Sequence, residues 1–219
     1  MNIQLILDFL ANLEKNNHRD WMDENKNQYL EARKVFDEVI TQLINEIASF
    51  DPAIRGLTSK DCIFRLNRDI RFSKDKSPYK TNFGAFMTEG GRKGSNAGYY
   101  IHLQPGDRSF LAGGMYMPDS DALKKVRQEI DYNASELKKI VTESAFKNYF
   151  GQVTGDRLKT APKGYSPDHP NIEFLKLKSY IVMHQVHDSE VIQPDFINNT
   201  ADVFKALHPL NEFLNVAVS

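Results

Sequence analysis

Gly98-Tyr99-Tyr100-Ile101-His102-Leu103-Gln104 and Ser109-Phe110-Leu111-Ala112-Gly113-Gly114-Met115-Tyr116-Met117 flank the tetrapeptide Pro105-Gly106-Asp107-Arg108. Both flanks are short, rich in aromatic and branched residues, and alternate; the tetrapeptide is made of turn formers. An antiparallel hairpin is the natural reading. Its first strand places Tyr100, His102 and Gln104 on one face, because side chains alternate across a strand. Working outward, Cys62–Leu66, Asn82–Thr88 and Tyr180–Val186 have the same character and are expected as further strands. The run 90–96, Gly-Gly-Arg-Lys-Gly-Ser-Asn, has no apolar residue to bury and is expected as an exposed, mobile loop.

Helical spacing takes over on both sides. Ile3, Ile6, Phe9, Leu10 and Leu13 mark a first helix, with Asn16-Asn17 as its stop. Asp20, three residues before Asp23, resembles a cap, and Tyr29, Ala32, Phe36, Val39, Ile40, Leu43, Ile47 and Phe50 continue a long helix to Asp51-Pro52. Proline ends it, having no amide hydrogen to donate and restricting the residue before it. Pro118-Asp119-Ser120 caps a helix through Leu123, Val126 and Ile130 towards Ile140, and Phe146, Tyr149 and Phe150 mark a short one. Residues 155–170 read as a long ordered loop. Pro194 suits the first turn of a closing helix whose Phe196, Val203, Phe204 and Leu207 lead into Pro209 and a final Phe213-Leu214. The fold class is therefore α+β, a mostly antiparallel central sheet flanked by N-terminal and C-terminal helices. A dinucleotide-binding fold lacks its glycine fingerprint.

The 219 residues are expected to form a single domain, 1–219; 41% are hydrophobic, with 14 Phe and 9 Tyr, enough to offset chain entropy. The lone Cys62 cannot form an internal disulfide, which suits the reducing cytosol, and a cytoplasmic location is expected. In an apolar strand start, that thiol is expected to be buried and unreactive. Asp8 interrupts the apolar N-terminus, no basic leader or cleavage pattern accompanies it, and no apolar run is long enough to span a membrane. A formal net charge of -1 argues against a dedicated nucleic-acid or membrane-surface protein, and leaves nucleic acid a weaker partner than a small anion.

The charge is unevenly distributed. Arg65-Leu66-Asn67-Arg68-Asp69-Ile70-Arg71-Phe72-Ser73-Lys74-Asp75-Lys76-Ser77-Pro78-Tyr79-Lys80 holds six basic and two acidic residues, a formal +4 that leaves -5 for the rest of the chain. Three planar guanidinium forks in such an island suit carboxylate or phosphate. Were the strand to continue through Arg71, Arg68 would share a face with Leu66, Ile70 and Phe72. A charge there must either serve a ligand or be paired, for example with a carboxylate from a long helix. A solvated basic loop is a third reading.

The run lies between strands and must return over the sheet. Arg65, Arg68, Arg71, Lys76, Tyr79 and Lys80 are therefore expected to converge with Tyr100 and His102 on one concave surface that binds a phosphorylated or carboxylated small molecule, with or without catalysis. Asp69 and His102 are the candidates for proton transfer, Asp69 being the better suited to orienting an arginine. A contact surface for nucleic acid or polyphosphate, and a structural or partner-binding segment consumed by internal salt bridges, are the alternatives. No cofactor is indicated. No metal is expected: His184 and His187 would point to opposite faces of a strand and lack partners at ligand spacing. Lys159, Lys163, Lys176 and Lys178 around Tyr165 form a second basic region, read as solvated surface. No nucleophile elbow, phosphate loop or kinase motif occurs.

Asn16-Asn17-His18-Arg19-Asp20-Trp21, the run Arg68–Lys80, Gly98-Tyr99-Tyr100 and Ala161-Pro162-Lys163-Gly164-Tyr165 occur in that order. Together they resemble the uncharacterised family called domain of unknown function 2461, found in bacteria and fungi, over nearly the whole chain. Met22 departs from the phenylalanine expected after the tryptophan. The resemblance implies one full-length domain and carries no activity, cofactor or catalytic residue with it.

Overall fold

A computed structural model describes Met1–Ser219. Its elements run α1 Gln4–Lys15, α2 Arg19–Glu24, α3 Lys26–Ala48, α4 Ser59–Cys62, β1 Phe83–Met87, β2 Gly98–Leu103, β3 Ser109–Met115, α5 Ser120–Tyr132, α6 Ala134–Thr142, α7 Ser144–Phe150, α8 Ile172–Leu175, β4 Tyr180–Val186, α9 Asp188–Val191 and α10 Phe196–Val218. The strands form one antiparallel sheet in the order β1-β2-β3-β4, with helices flanking it. This is the α+β architecture expected from the sequence. No helix is long and apolar enough to cross a membrane.

The hairpin forms as read. Gly106 and Asp107 take positive φ values of 80° and 57°, left-handed conformations that glycine and aspartate adopt in turns. Ser109 closes it from within: its hydroxyl donates to the Gln104 carbonyl and accepts the Gln104 amide hydrogen.

Close chain neighbours gather into two compact units. The first comprises Met1–Lys93, Tyr100–Leu111 and Gln185–Asp202; the second comprises Gly94–Tyr99, Ala112–His184 and Val203–Ser219. In the first, the apolar stripes of α1 (Ile6, Leu10, Leu13) and α3 (Val39, Ile40, Leu43) are buried where the two helices pack. Phe9 and Phe36 then meet Phe83 of β1 at ring separations of 6.1 and 5.3 Å. In the second, Phe204 of α10 lies 5.3 Å from the ring of Tyr99, and Arg127 of α5 donates to the carbonyls of Leu175 and Leu177.

Three expectations change. The long helix from Asp20 is broken at Asn25, whose amide turns back to the Trp21 carbonyl and caps α2. The strand expected at Cys62–Leu66 shrinks to single bridges, because Ser59–Cys62 is a helical turn instead. The Asp61 carboxylate accepts both the amide and the hydroxyl of Thr58 and sets that turn. Finally, α10 runs straight through Pro209. Side chains one turn apart on its distal half anchor it: Asn211 donates to the Gly98 carbonyl, and Asn215 exchanges hydrogen bonds with both backbone groups of Ala97. These bonds offset the one that proline cannot donate.

Candidate functional site

Chain direction across the basic run is set by backbone pairing at its base. Ile63 bridges Ala85, Asn67 bridges Tyr79, the Arg68 amide donates to the Pro78 carbonyl, and the Lys80 amide donates to the Leu66 carbonyl. Residues 67–79 thus form a closed loop whose feet lie beside β1. Asn17 clamps one foot, since its side-chain amide donates to the Tyr79 carbonyl and accepts the Tyr79 amide hydrogen at 3.0 and 3.1 Å. Its part in holding the loop was invisible in sequence, where Asn17 reads as a helix stop.

Inside the loop the charges are largely spent on one another. The Arg68 guanidinium holds Asp75, the Ser77 carbonyl at 3.1 Å and the Ser73 hydroxyl at 3.4 Å. Its partner carboxylate comes from the loop, not from a long helix. Asp75 also accepts the amide and hydroxyl of Ser77, and with Arg68 these bonds hold its pKa down to about 2. Arg71 forks onto Asp69 at 2.9 and 2.7 Å, which lowers the Asp69 pKa and occupies both its oxygens. Asp69 therefore orients Arg71. The Lys76 ammonium donates to the Ile70 carbonyl at 3.0 Å.

Arg65 and Lys80 differ from these: neither has an acidic partner. They sit at the foot of the loop, where the charge of Arg65 adds to burial in lowering the Lys80 pKa. The Lys80 ammonium lies 5.5 Å over the ring of Phe64, and Phe64 meets Tyr100 edge-on at 6.3 Å. Of the residues expected to converge, Arg65 comes near Lys80, Lys80 comes near His102, and Phe64 links Lys80 to Tyr100. The structure directs Arg68, Arg71 and Lys76 into the loop's own frame.

On the sheet face, Tyr100, His102 and Gln104 form one polar row, and the direction of its hydrogen bonds follows from the donors available. The Gln104 side-chain amide donates to the Thr81 hydroxyl at 3.1 Å, so its oxygen faces His102 Nε2 at 2.9 Å and must accept. Nε2 then carries the imidazole hydrogen. Nδ1 is left to accept from the Tyr100 hydroxyl at 3.1 Å and the Asn82 amide at 3.3 Å. Burial lowers the His102 pKa, the Gln104 bond opposes this, and the charges of Arg108 and Lys80 lower it further, so the ring is neutral at pH 7. Burial also pushes the Tyr100 hydroxyl up to about 12. The result is a neutral row, its donors turned along the row itself, near the Lys80 cation. Phe110 stacks on the imidazole at 4.5 Å. Phe64, Thr81, Asn82 and Phe110 were not among the expected site residues; the alternation through His102 was the only signal pointing to this face.

Gly84 makes the row possible. A Cβ at that position would stand 2.7 Å from the Tyr100 hydroxyl oxygen, too close for any real contact. Gly84→Ala is expected to leave the protein folded, since the obstructing atom ends a side chain that can rotate, but to move the hydroxyl off His102. Nitrogen NMR of the imidazole checks this. The Nδ1 resonance should shift as a hydrogen bond is lost, as in Tyr100→Phe; an unchanged spectrum would refute the arrangement.

The remaining candidates lie apart from this face. The Cys62 side chain is fully buried, and burial pushes its thiol up to about 12, the condition of an unreactive cysteine. His184 Nδ1 lies 3.1 Å from the Tyr149 carbonyl, and His187 Nδ1 lies 3.6 Å from Asp107. No group of three or more His, Cys, Asp or Glu side chains is placed to hold a metal ion. In the second basic region, Lys176 approaches Glu173 at 3.7 Å.

No curated protein and no solved structure matches the chain. Residues 5–213, nearly its whole length, match the family model described as "Conserved hypothetical protein (DUF2461)", and the chain belongs to that family.

Proposed function

We propose that the protein binds a phosphorylated or carboxylated small molecule at Arg65 and Lys80, beside Tyr100 and His102. One observation carries the reading: two cations that form no ion pair lie near one another, and Lys80 rests against an aromatic surface. Keeping like charges together costs free energy, and an anion between them would recover it. Arg65 supplies a planar fork for two oxygens of the ligand, and Lys80 a point charge. The Tyr100–His102–Gln104 row is neutral and so places no negative charge beside the ligand. Were the site catalytic, His102 would be its proton-transfer group, acting through the Tyr100 hydroxyl; Asp69, already forked with Arg71, would not. For Arg68 and Arg71 a structural role is favoured by their pairing with Asp75 and Asp69.

The test is a thermal-shift screen of phosphorylated and carboxylated metabolites against wild type and the double variant Arg65→Gln, Lys80→Gln. One or more should raise the wild-type Tm, and the double variant should lose that response while its own Tm stays close to wild type, since neither cation makes an ion pair. Affinity should fall only slightly with salt, as for a single anion in a pocket. A screen with no response, or a response the double variant retains, would overturn the reading.

A further inference from the structure

The apex of the basic loop has a feature that the small-anion site does not use. Ser73 donates its amide to the Ile70 carbonyl, so residues 70–73 form a turn with Arg71 and Phe72 at its centre. Phe72 is 95% exposed, the most exposed large apolar side chain of the protein. It is not a frayed end. The arginine beneath it is forked to Asp69, the loop is tied across by Arg68 and Asp75, and Lys76 braces the Ile70 carbonyl. A rigid turn that holds an aromatic ring in water is preorganised for a partner that covers the ring.

What surrounds the ring indicates the partner. The Arg71 guanidinium lies 5.8 Å over Phe72, just as the Lys80 ammonium lies 5.5 Å over Phe64 at the loop's foot. The charge of Arg65 is felt both by Lys80 at the foot and by Asp69, the partner of Arg71. Lys74 adds an exposed cation with no acidic partner near the apex. Rings alternating with cations along one track match a chain in which flat bases alternate with phosphates. An anionic membrane suits the track less well, because a single apolar side chain at the apex gives little to insert. The net charge of -1 argues against a protein given over wholly to nucleic acid, but the +4 of the run is concentrated where the strand would lie.

We infer that this loop and its foot bind a short single-stranded nucleic acid, with phosphates on Lys80, Arg65 and Lys74 and a base stacked on Phe72. The inference rests on the anion site proposed above and extends it along the loop.

The experiment compares a labelled thymidylate strand of about eight nucleotides, read by fluorescence anisotropy, with inorganic phosphate and thymidine monophosphate, read by thermal shift. The strand should bind more tightly than the mononucleotide. Phe72→Ala should weaken the strand about tenfold, the worth of one stacked base, and leave the phosphate response unchanged. With three phosphates neutralised, affinity should fall about 18-fold between roughly 50 and 200 mM salt. A phosphate response with strand binding indifferent to Phe72→Ala overturns the inference and leaves the anion site standing. No response to phosphate, mononucleotide or strand removes both. Phe72-dependent sedimentation with phosphatidylserine vesicles, without strand binding, assigns the loop to a membrane and also overturns the inference.

Discussion

Gly114→Ala is expected to cost at least about 3 kcal/mol of stability, a large part of the roughly 5–15 kcal/mol that holds a domain together. Two effects add. Gly114 has φ of +101°, where a side chain is strained regardless of space, and an added Cβ would stand 2.0 Å from the Tyr180 carbonyl oxygen. That oxygen belongs to the backbone of β4, so the clash can be relieved only by moving a strand. Gly151→Ala separates the two contributions: its φ is +69° with no atom within 4 Å of the new Cβ, so only the conformational part, about 1–3 kcal/mol, should be lost. Urea titration of both variants measures the difference. Equal losses would show that close approach at β4 plays no part.

Phe36→Ala is expected to cost about 3–5 kcal/mol. Phe36 is fully buried and lies 5.3 Å from Phe83, joining α3 to β1. Removing the ring loses its transfer free energy and leaves a cavity that helix and strand, each held by its own hydrogen bonds, cannot close. Phe36→Leu keeps most of the volume and should cost under about 1.5 kcal/mol. Because Phe83 precedes Gly84, the alanine variant should also loosen the face that carries Tyr100. A ligand found by thermal shift should therefore bind it more weakly than it binds the leucine variant.

Local chemistry carried the parts of the fold that depend on neighbours in sequence. Pro105-Gly106-Asp107-Arg108 specifies a turn whatever lies around it, and alternation in Gly98–Gln104 already separates the faces of β2, because both signals act over a few residues. The strand Tyr180–Val186 was legible for the same reason. Where expectation and structure part, a distant or competing contact decides. A proline inside a helix ordinarily breaks or kinks it, yet Asn211 and Asn215 bind backbone near Gly98, more than a hundred residues away in sequence, and α10 continues through Pro209. No local pattern encodes that contact.

The basic run divides along the same line. By itself the sequence determined that positive charge is concentrated in Arg65–Lys80, that His102 shares a face with Tyr100, and that the chain folds as helices around an antiparallel sheet. Only the tertiary structure decided which cations remain unneutralised. Arg65, Arg68 and Arg71 are alike as residues and are spaced evenly, so spacing cannot rank them. Loop closure does so by bringing Asp75 back onto Arg68 and Asp69 onto Arg71, and by setting Lys80 opposite Leu66 near an Arg65 that forms no ion pair. An ion pair depends on distance in space, and that distance exists only once the loop has folded.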